Sequence, residues 1–172
     1  CLGFGFNYSL SNAEYEGKYS GKRCFIIGNG PSLNDHDIKL LKDEYTFSVN
    51  SMTATKEYDV IRPDFHVMLD STRFDESSEV FNRNMEELVK KDHKPVCIFP
   101  ARFREYFEKH GYDKKLDIIY IYTSEKVGPI SDIDLTRRAP PYKNVVNAAL
   151  FSAIYMGFSE IYLVGVDMTG FV

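Results

Sequence analysis

The sequence lacks several features that would assign it to common functional classes. It has no run of eighteen or more apolar residues, so it contains no obvious membrane-spanning helix. Its formal net charge of −4 argues against a broad nucleic-acid or anionic-membrane surface. It has neither a C-x-x-C pair nor a zinc-ligand spacing, and Cys24 and Cys97 lie in apolar runs where thiols serve as small hydrophobes. No G-x-S-x-G elbow supports acyl transfer.

The first residues carry neither a charged leader nor a long apolar stretch, so we predict no N-terminal signal peptide. We therefore expect a cytoplasmic protein, with peripheral membrane association as the alternative. The chain does not begin with Met and stops at Val172 just after a predicted strand, so we expect an excerpt of a longer protein. The 172 residues, 44% hydrophobic and 27% charged, predict one globular domain over residues 1–172.

Strand and helix patterns alternate along most of the chain, which predicts an α/β fold with a mostly parallel sheet of about six strands. Apolar periodicity predicts helices in the segments between these strands. The predicted strands are 23–27, 45–49, 64–69, 95–99, 116–122 and 160–165, and the predicted helices are 33–41, 79–91, 101–110 and 145–156.

Two long connections have no clear pattern. Residues 51–62 are polar and of uncertain form, and residues 124–143 form a long loop of the kind that often serves as a lid or mobile segment. Asp132 and Asp134 form an Asp-x-Asp in this loop, but they do not follow a strand, so we predict no metal site there. Arg137 and Arg138 could clamp a phosphate, although a solvated loop pair is the favoured interpretation.

The junction Gly28-Asn29-Gly30-Pro31-Ser32, directly after an apolar run, is typical of a phosphate-binding turn. Glycines allow positive φ and close approach of an anion to backbone amides. Ser32 is predicted to be an N-cap, with Asp35 completing a capping box. Leu33 replaces the third glycine of a dinucleotide fingerprint, and no P-loop lysine follows, so a plain tight turn is the alternative.

Polar residues follow most of the predicted strands. In a parallel sheet the carboxyl ends of the strands meet at one edge, where ligands bind, so these residues are predicted to face one crevice. Each also has a local explanation, such as capping a turn. Besides the glycine junction, the set comprises Asn50 with Ser51, Asp70 with Ser71 and Thr72, Thr123 with Ser124, and Asp167, which Gly165 precedes.

The histidines suggest no catalytic or metal-binding pair. None of the four is spaced from another as ligands on one helix face would be, and His66 alternates with apolar residues of a strand, which predicts a structural imidazole. They are His36, His66, His93 and His110.

Two segments together resemble known families. Residues 26–33 (IIGNGPSL) and 156–167 (MGFSEIYLVGVD) are similar to bacterial family-42 sialyltransferases, and residues 47–50 and 63–70 fit the same order. The same segments resemble the motif-accessory-factor flagellin glycosylation proteins and the 6-hydroxymethylpterin pyrophosphokinase-like domain. The similarity is colinear over residues 22–170.

The sialyltransferase resemblance implies a Rossmann-like three-layer αβα fold that works without a metal. It implies that residues 28–32 and Asn50 hold the phosphate and ribose of a CMP-activated sugar, with Asp70 and Asn144 near the nucleotide and Asp167 at the crevice floor. The chain departs from the pattern at residues 144–146, which are Asn-Val-Val where those enzymes carry Thr-Ser-Gly. Their catalytic histidine corresponds to a position beyond residue 172, so we assign no catalytic residue.

The main hypothesis is therefore a nucleotide-sugar-dependent glycosyltransferase of surface polysaccharide or glycoprotein assembly, acting on a glycan acceptor without a cofactor. The alternative is a pyrophosphokinase that moves a diphosphate from ATP to a pterin, with Mg²⁺ bound by Asp70 and Asp167. A non-catalytic nucleotide-binding domain is the third hypothesis. None of the three fixes the oligomeric state.

Overall fold

The computed structural model describes residues 10–69, 78–123, 133–142 and 144–167. Within these residues the chain forms a seven-stranded sheet with the order β6-β5-β4-β3-β2-β1-β7, and every pairing of neighbouring strands is parallel. The strands are β1 (Arg23–Ile27), β2 (Tyr45–Val49), β3 (Phe65–Val67), β4 (Val96–Pro100), β5 (Ile118–Thr123), β6 (Arg138–Ala139) and β7 (Glu160–Val164).

Helices connect the strands. The α-helices are α1 (Lys56–Ile61), α2 (Glu79–Lys90), α3 (Arg104–His110) and α4 (Val145–Tyr155). Side-chain oxygens of Thr55, Ser78 and Asn144 accept backbone N–H bonds at the starts of α1, α2 and α4, which satisfies donors that a helix leaves unpaired at its N-terminus. Short 3₁₀ helices occupy Leu10–Tyr15, Pro31–Asp35, Ile38–Leu41, Asn50–Ala54 and Ala101–Phe103.

The sheet is buried on both faces over its central strands. On one face, alternate strand residues such as Phe47, Phe65 and Ile98 pack with α4 and the N-terminal 3₁₀ helix. On the other face, Cys97 and Phe99 pack with apolar residues of α2 and α3. Removing each fully buried aromatic or aliphatic side chain from water stabilises the fold by about 1.5–3 kcal/mol. The result is a three-layer arrangement of helices, sheet and helices.

The structure confirms the α/β Rossmann-like fold and all six predicted strands. The long segment predicted as a loop contains a further short strand, β6, which pairs with β5 through Tyr122 and Thr123. The predicted helix over 33–41 is wrong, because this segment forms two 3₁₀ turns that are separated at His36 by extended backbone. Residues 51–62, which had no clear pattern, form most of a 3₁₀ turn and all of α1.

The strand order reverses at β1. From β1 the chain adds strands successively on one side as far as β6, and α4 then returns it to place β7 on the other side of β1. In open parallel sheets, the crevice outside the carboxyl ends of the strands at such a reversal is the usual position of a ligand. The segments after β1 and β7 therefore lie where a ligand is expected.

Among the residues that the structure describes, no helix has the length and apolar character needed to cross a membrane.

Burial of His66 makes stability depend on pH. The ring is fully buried, its Nδ1 lies 2.8 Å from Ser48 Oγ, and burial lowers its pKa to about 3. In the unfolded chain the histidine pKa is near 6.5, so the unfolded chain takes up this proton at a higher pH than the folded chain does. The free energy of unfolding therefore falls as the pH is lowered from 6.5 towards 3. At pH 5 the loss is about 2 kcal/mol relative to pH 8.

We therefore predict that His66→Gln reduces the difference in unfolding free energy between pH 8 and pH 5, measured by urea denaturation. The exposed residue His110 provides the control, as His110→Gln. A pH dependence that is the same in wild type and His66→Gln would contradict the assignment.

Candidate functional site

The segments that follow β1 and β7 are packed directly against each other. Gly28 N donates to Val164 O and Gly30 N donates to Gly165 O, both at 2.8 Å. A Cβ on Gly28 would collide with the carbonyl oxygen of Gly165, and one on Gly30 would collide with the Asp167 carboxylate. The two glycines are therefore required for close approach between two parts of the same chain.

This packing changes the interpretation of the glycine junction. The amides of Gly28 and Gly30, expected to face a phosphate, are engaged by carbonyl oxygens of the segment that ends β7. The positive φ expected at this turn lies instead at Gly165, whose φ is +65°, whereas Gly30 has an ordinary φ of −75°. Another part of the backbone lies close to Gly165, because a Cβ there would lie 3.0 Å from Gly28 O.

The carboxylate of Asp167, which follows β7, is hydrogen-bonded at the start of the turn after β1. Ser32 N donates to Asp167 Oδ2 at 2.8 Å, and Ser32 Oγ donates to Asp167 Oδ1. Ser32 was predicted to be an N-cap, but Gly30 occupies that position and the predicted capping box with Asp35 is wrong. The hydrogen bond from the Ser32 hydroxyl, followed by that from its amide, lowers the pKa of Asp167. Asp167 is therefore ionised at neutral pH.

Asn50 adjoins this contact from the end of β2. Its φ is +53°, a left-handed conformation that is uncommon outside glycine, and its Oδ1 is buried without a hydrogen-bond partner. Asn29 Nδ2 reaches Val49 O at 3.3 Å, which ties the glycine turn to the end of β2. Backbone strain together with an unpaired buried acceptor is a feature of binding sites, where a ligand supplies the missing donor.

Three further predicted site residues have different outcomes. Asn144 lies at the same edge of the sheet, where its Oδ1 accepts from Asn147 N at 2.9 Å and so caps α4. Pro31 is the first residue of the 3₁₀ turn and is exposed. Asp70 lies outside the described residues. The structure thus brings residues 28–32, Asn50 and Asp167 together, as the crevice hypothesis required.

The loop carboxylates have local partners. Asp134 Oδ1 accepts from Thr136 N at 2.8 Å and from Thr136 Oγ1 at 2.6 Å, and its Oδ2 pairs with Arg137 Nε at 3.2 Å. Asp132 lies outside the described part of the chain. Within the described ranges, no group of three or more histidine, cysteine, aspartate or glutamate residues is arranged to hold a metal ion.

A further polar group lies at this edge of the sheet. It contains Thr123, which the sequence predicted, and Arg102 and Tyr142, which it did not. Arg102 lies two residues beyond β4, and Tyr142 lies three residues beyond β6. The Thr123 hydroxyl hydrogen-bonds Tyr142, whose pKa is raised mainly by burial, and the nearby Arg102 charge opposes that increase. The position of Arg102 just after a predicted strand was the available indication.

Comparison with known proteins identifies one family. The family described as 6-hydroxymethylpterin diphosphokinase MptE-like matches residues 5–170. No curated protein matches the chain. The match covers nearly all of the chain, includes every residue of the crevice, and gives no support for the sialyltransferases in particular.

The packing of the two segments predicts the cost of a side chain at residue 28. Gly28→Ala should lower the unfolding free energy by about 3 kcal/mol, because the colliding atoms belong to the backbone of Gly165 and cannot rotate away. Gly21→Ala is the control, because its φ of +76° is strained but no atom lies within 4 Å of its added Cβ. Gly21→Ala should cost about 1 kcal/mol. Equal costs in urea denaturation would contradict the steric explanation.

Proposed function

We propose, because the chain belongs to the 6-hydroxymethylpterin diphosphokinase MptE-like family, that it transfers a diphosphate from ATP to the hydroxyl group of a pterin-like acceptor. Two candidate chemistries would use this crevice: Mg²⁺-dependent transfer from ATP and metal-free transfer from a CMP-activated sugar. The family match supports the first. The contact between Ser32 and Asp167 supports it independently.

The position of the Asp167 carboxylate is the observation that carries the proposal. It accepts from the Ser32 amide and hydroxyl, which are the donors that a phosphate would otherwise use at this turn. A phosphate placed beside an ionised carboxylate is repelled unless a cation lies between the two. The site is therefore better suited to a nucleotide that brings a divalent cation than to one bound through amides alone.

The chemistry of the donor set fits Mg²⁺. This ion is usually held by one or two carboxylates together with substrate phosphates, and retains several waters. Asp167 would be one such ligand, and phosphate oxygens and water would complete the set. When bound, Mg²⁺ would neutralise charge on the phosphates during transfer.

The proposed diphosphate transfer forms one bond to phosphorus and breaks one. The acceptor hydroxyl oxygen forms a bond to the β-phosphorus of ATP, and the bond from that phosphorus to the oxygen bridging the α-phosphate breaks. AMP leaves with the electron pair, and the hydroxyl proton passes to a base or to water. Asn50 Oδ1, a buried acceptor without a partner, would accept from a hydroxyl of the ribose and so position the nucleotide.

Binding measurements separate the three hypotheses. By calorimetry, ATP with Mg²⁺ should bind more tightly than ATP with EDTA or CMP, and incubation with a hydroxymethylpterin should release AMP. Tighter binding of CMP without a metal would favour the glycosyltransferase. Binding of ATP with no release of AMP in the presence of acceptor would favour a non-catalytic nucleotide-binding domain.

Removing the charge of Asp167 tests the role of the cation. We predict that Asp167→Asn weakens binding of ATP with Mg²⁺ by about tenfold or more, because a carboxylate ligand is lost. Binding of ATP in EDTA should be unchanged or stronger, because repulsion is also removed. Asp134→Asn is a matched control, since Asp134 also accepts from the amide and hydroxyl of one residue, Thr136. Equal weakening with and without Mg²⁺ would contradict a metal-linked role.

The backbone of Asn50 determines which substitution is informative. Alanine would be strained at a φ of +53°, whereas glycine adopts it freely, so Asn50→Gly removes the amide and keeps the fold. We predict unchanged or slightly higher stability in thermal denaturation and about tenfold weaker ATP binding in calorimetry, for the loss of one buried hydrogen bond. Unchanged ATP affinity would remove Asn50 from the nucleotide site.

A further inference from the structure

A second polar group lies at the carboxyl edge of the sheet, distant from the contact between Ser32 and Asp167. Arg102, Thr123 and Tyr142 follow or end the adjacent strands β4, β5 and β6. Pro100 pairs with Ile121 and Thr123 pairs with Ala139, so Arg102 and Tyr142 lie two and three residues past the paired ends of β4 and β6. Three separate segments therefore leave the sheet at the same edge.

Arg102 lies in the 3₁₀ turn between β4 and α3. The segment that follows it enters α3, whose Phe107 packs on one face of the sheet, whereas Tyr142 packs against the core of the opposite face. Arg102 is nevertheless near enough to Tyr142 for its charge to act on the phenol. The guanidinium lies 4.8 Å from the centroid of the Phe103 ring, and its contacts with the described residues include no carboxylate.

The distance between Arg102 and the contact of Ser32 with Asp167 limits which ligands could reach both. Three strand spacings separate β1 from β4 in the sheet order, which is about 14 Å. An arginine side chain spans part of that distance, but a single phosphate bound at Ser32 is too short to span the rest. An extended nucleotide with several phosphates is long enough to contact both Ser32 and Arg102. The crevice has a carboxylate at its β1–β7 end and a guanidinium at its β4–β5 end, so the more anionic part of such a ligand is favoured near Arg102.

We propose that Arg102 and the Thr123 hydroxyl form a subsite for the β- and γ-phosphates of ATP, the diphosphate that is transferred. This inference rests on the proposed function, which supplies the nucleotide. Arg102 presents a planar set of N–H donors with a permanent charge, which suits two phosphate oxygens at once. The Thr123 hydroxyl, which is bonded to Tyr142, would accept from the Tyr142 phenol when the ligand binds and donate its own proton to a phosphate oxygen. With the ribose at Asn50, between the two ends of the crevice, the α-phosphate would lie on the Asp167 side and the β- and γ-phosphates would extend towards Arg102.

The test compares AMP, ADP and ATP, each with Mg²⁺, in binding to wild type and Arg102→Gln. We expect Arg102→Gln to weaken ATP binding about 10- to 50-fold and to leave AMP binding unchanged, with ADP between the two. Arg102→Lys should recover part of the ATP affinity, because the charge returns without the paired donors. Thr123→Val, which removes one hydroxyl with little change of shape, should also weaken ATP more than AMP.

Arg62→Gly is the matched control for the loss of one positive charge. Arg62 ends α1 at the amino edge of the sheet with a φ of +54°, a conformation that glycine adopts without strain. Its ATP and AMP affinities should equal those of wild type. Thermal denaturation of every variant establishes that the fold is retained.

The outcomes separate this inference from the proposed function. If Arg102→Gln and Thr123→Val bind ATP as wild type does, or lose AMP and ATP affinity equally, the subsite is refuted while the ATP-dependent function stands. If wild type binds CMP and not ATP, both are refuted.

Discussion

The contact between the segments after β1 and β7 is the constraint on which the site depends. It forms only because residues 28 and 30 have no side chain, since a Cβ at either would strike the Gly165 carbonyl or the Asp167 carboxylate. Hydrogen bonds from the Gly28 and Gly30 amides to the carbonyls of Val164 and Gly165 hold the segments together, and Ser32 fixes the carboxylate of Asp167 at the turn. The glycines that suggested a phosphate-binding turn therefore allow the formation of a site that contains a negative charge.

That charge organises the proposed chemistry. An ionised carboxylate at one end of a crevice disfavours bare phosphate and favours a phosphate that shares a cation with it. At the other end, Arg102 supplies positive charge where β4 and β5 finish. Between the two lies Asn50, strained and with an unpaired acceptor. A long, highly anionic nucleotide with a divalent cation satisfies all three features, and membership of the MptE-like family agrees with this.

The sequence predicted the strands well and the turns poorly, for a physical reason. Parallel strands buried on both faces appear as apolar runs, so their positions are visible locally. Residues 33–41 have apolar spacing typical of a helix, yet β-extended backbone at His36 divides them into two 3₁₀ turns. β6 was missed because it has only two residues and pairs along one edge, with β5. Arg102 was missed because a single arginine after a strand has no pattern.

The sequence by itself determined the fold class, six of the seven strands and the edge where polar residues collect, because apolar periodicity and strand ends are local properties. Only the tertiary structure decided the partners of those residues. The amides of Gly28 and Gly30 donate to the last residue of β7 and to the residue after it, and Ser32 binds Asp167 rather than capping a helix, because α4 returns the chain beside β1. A contact between residues 135 positions apart depends on the order of strands in the sheet, which no local pattern encodes.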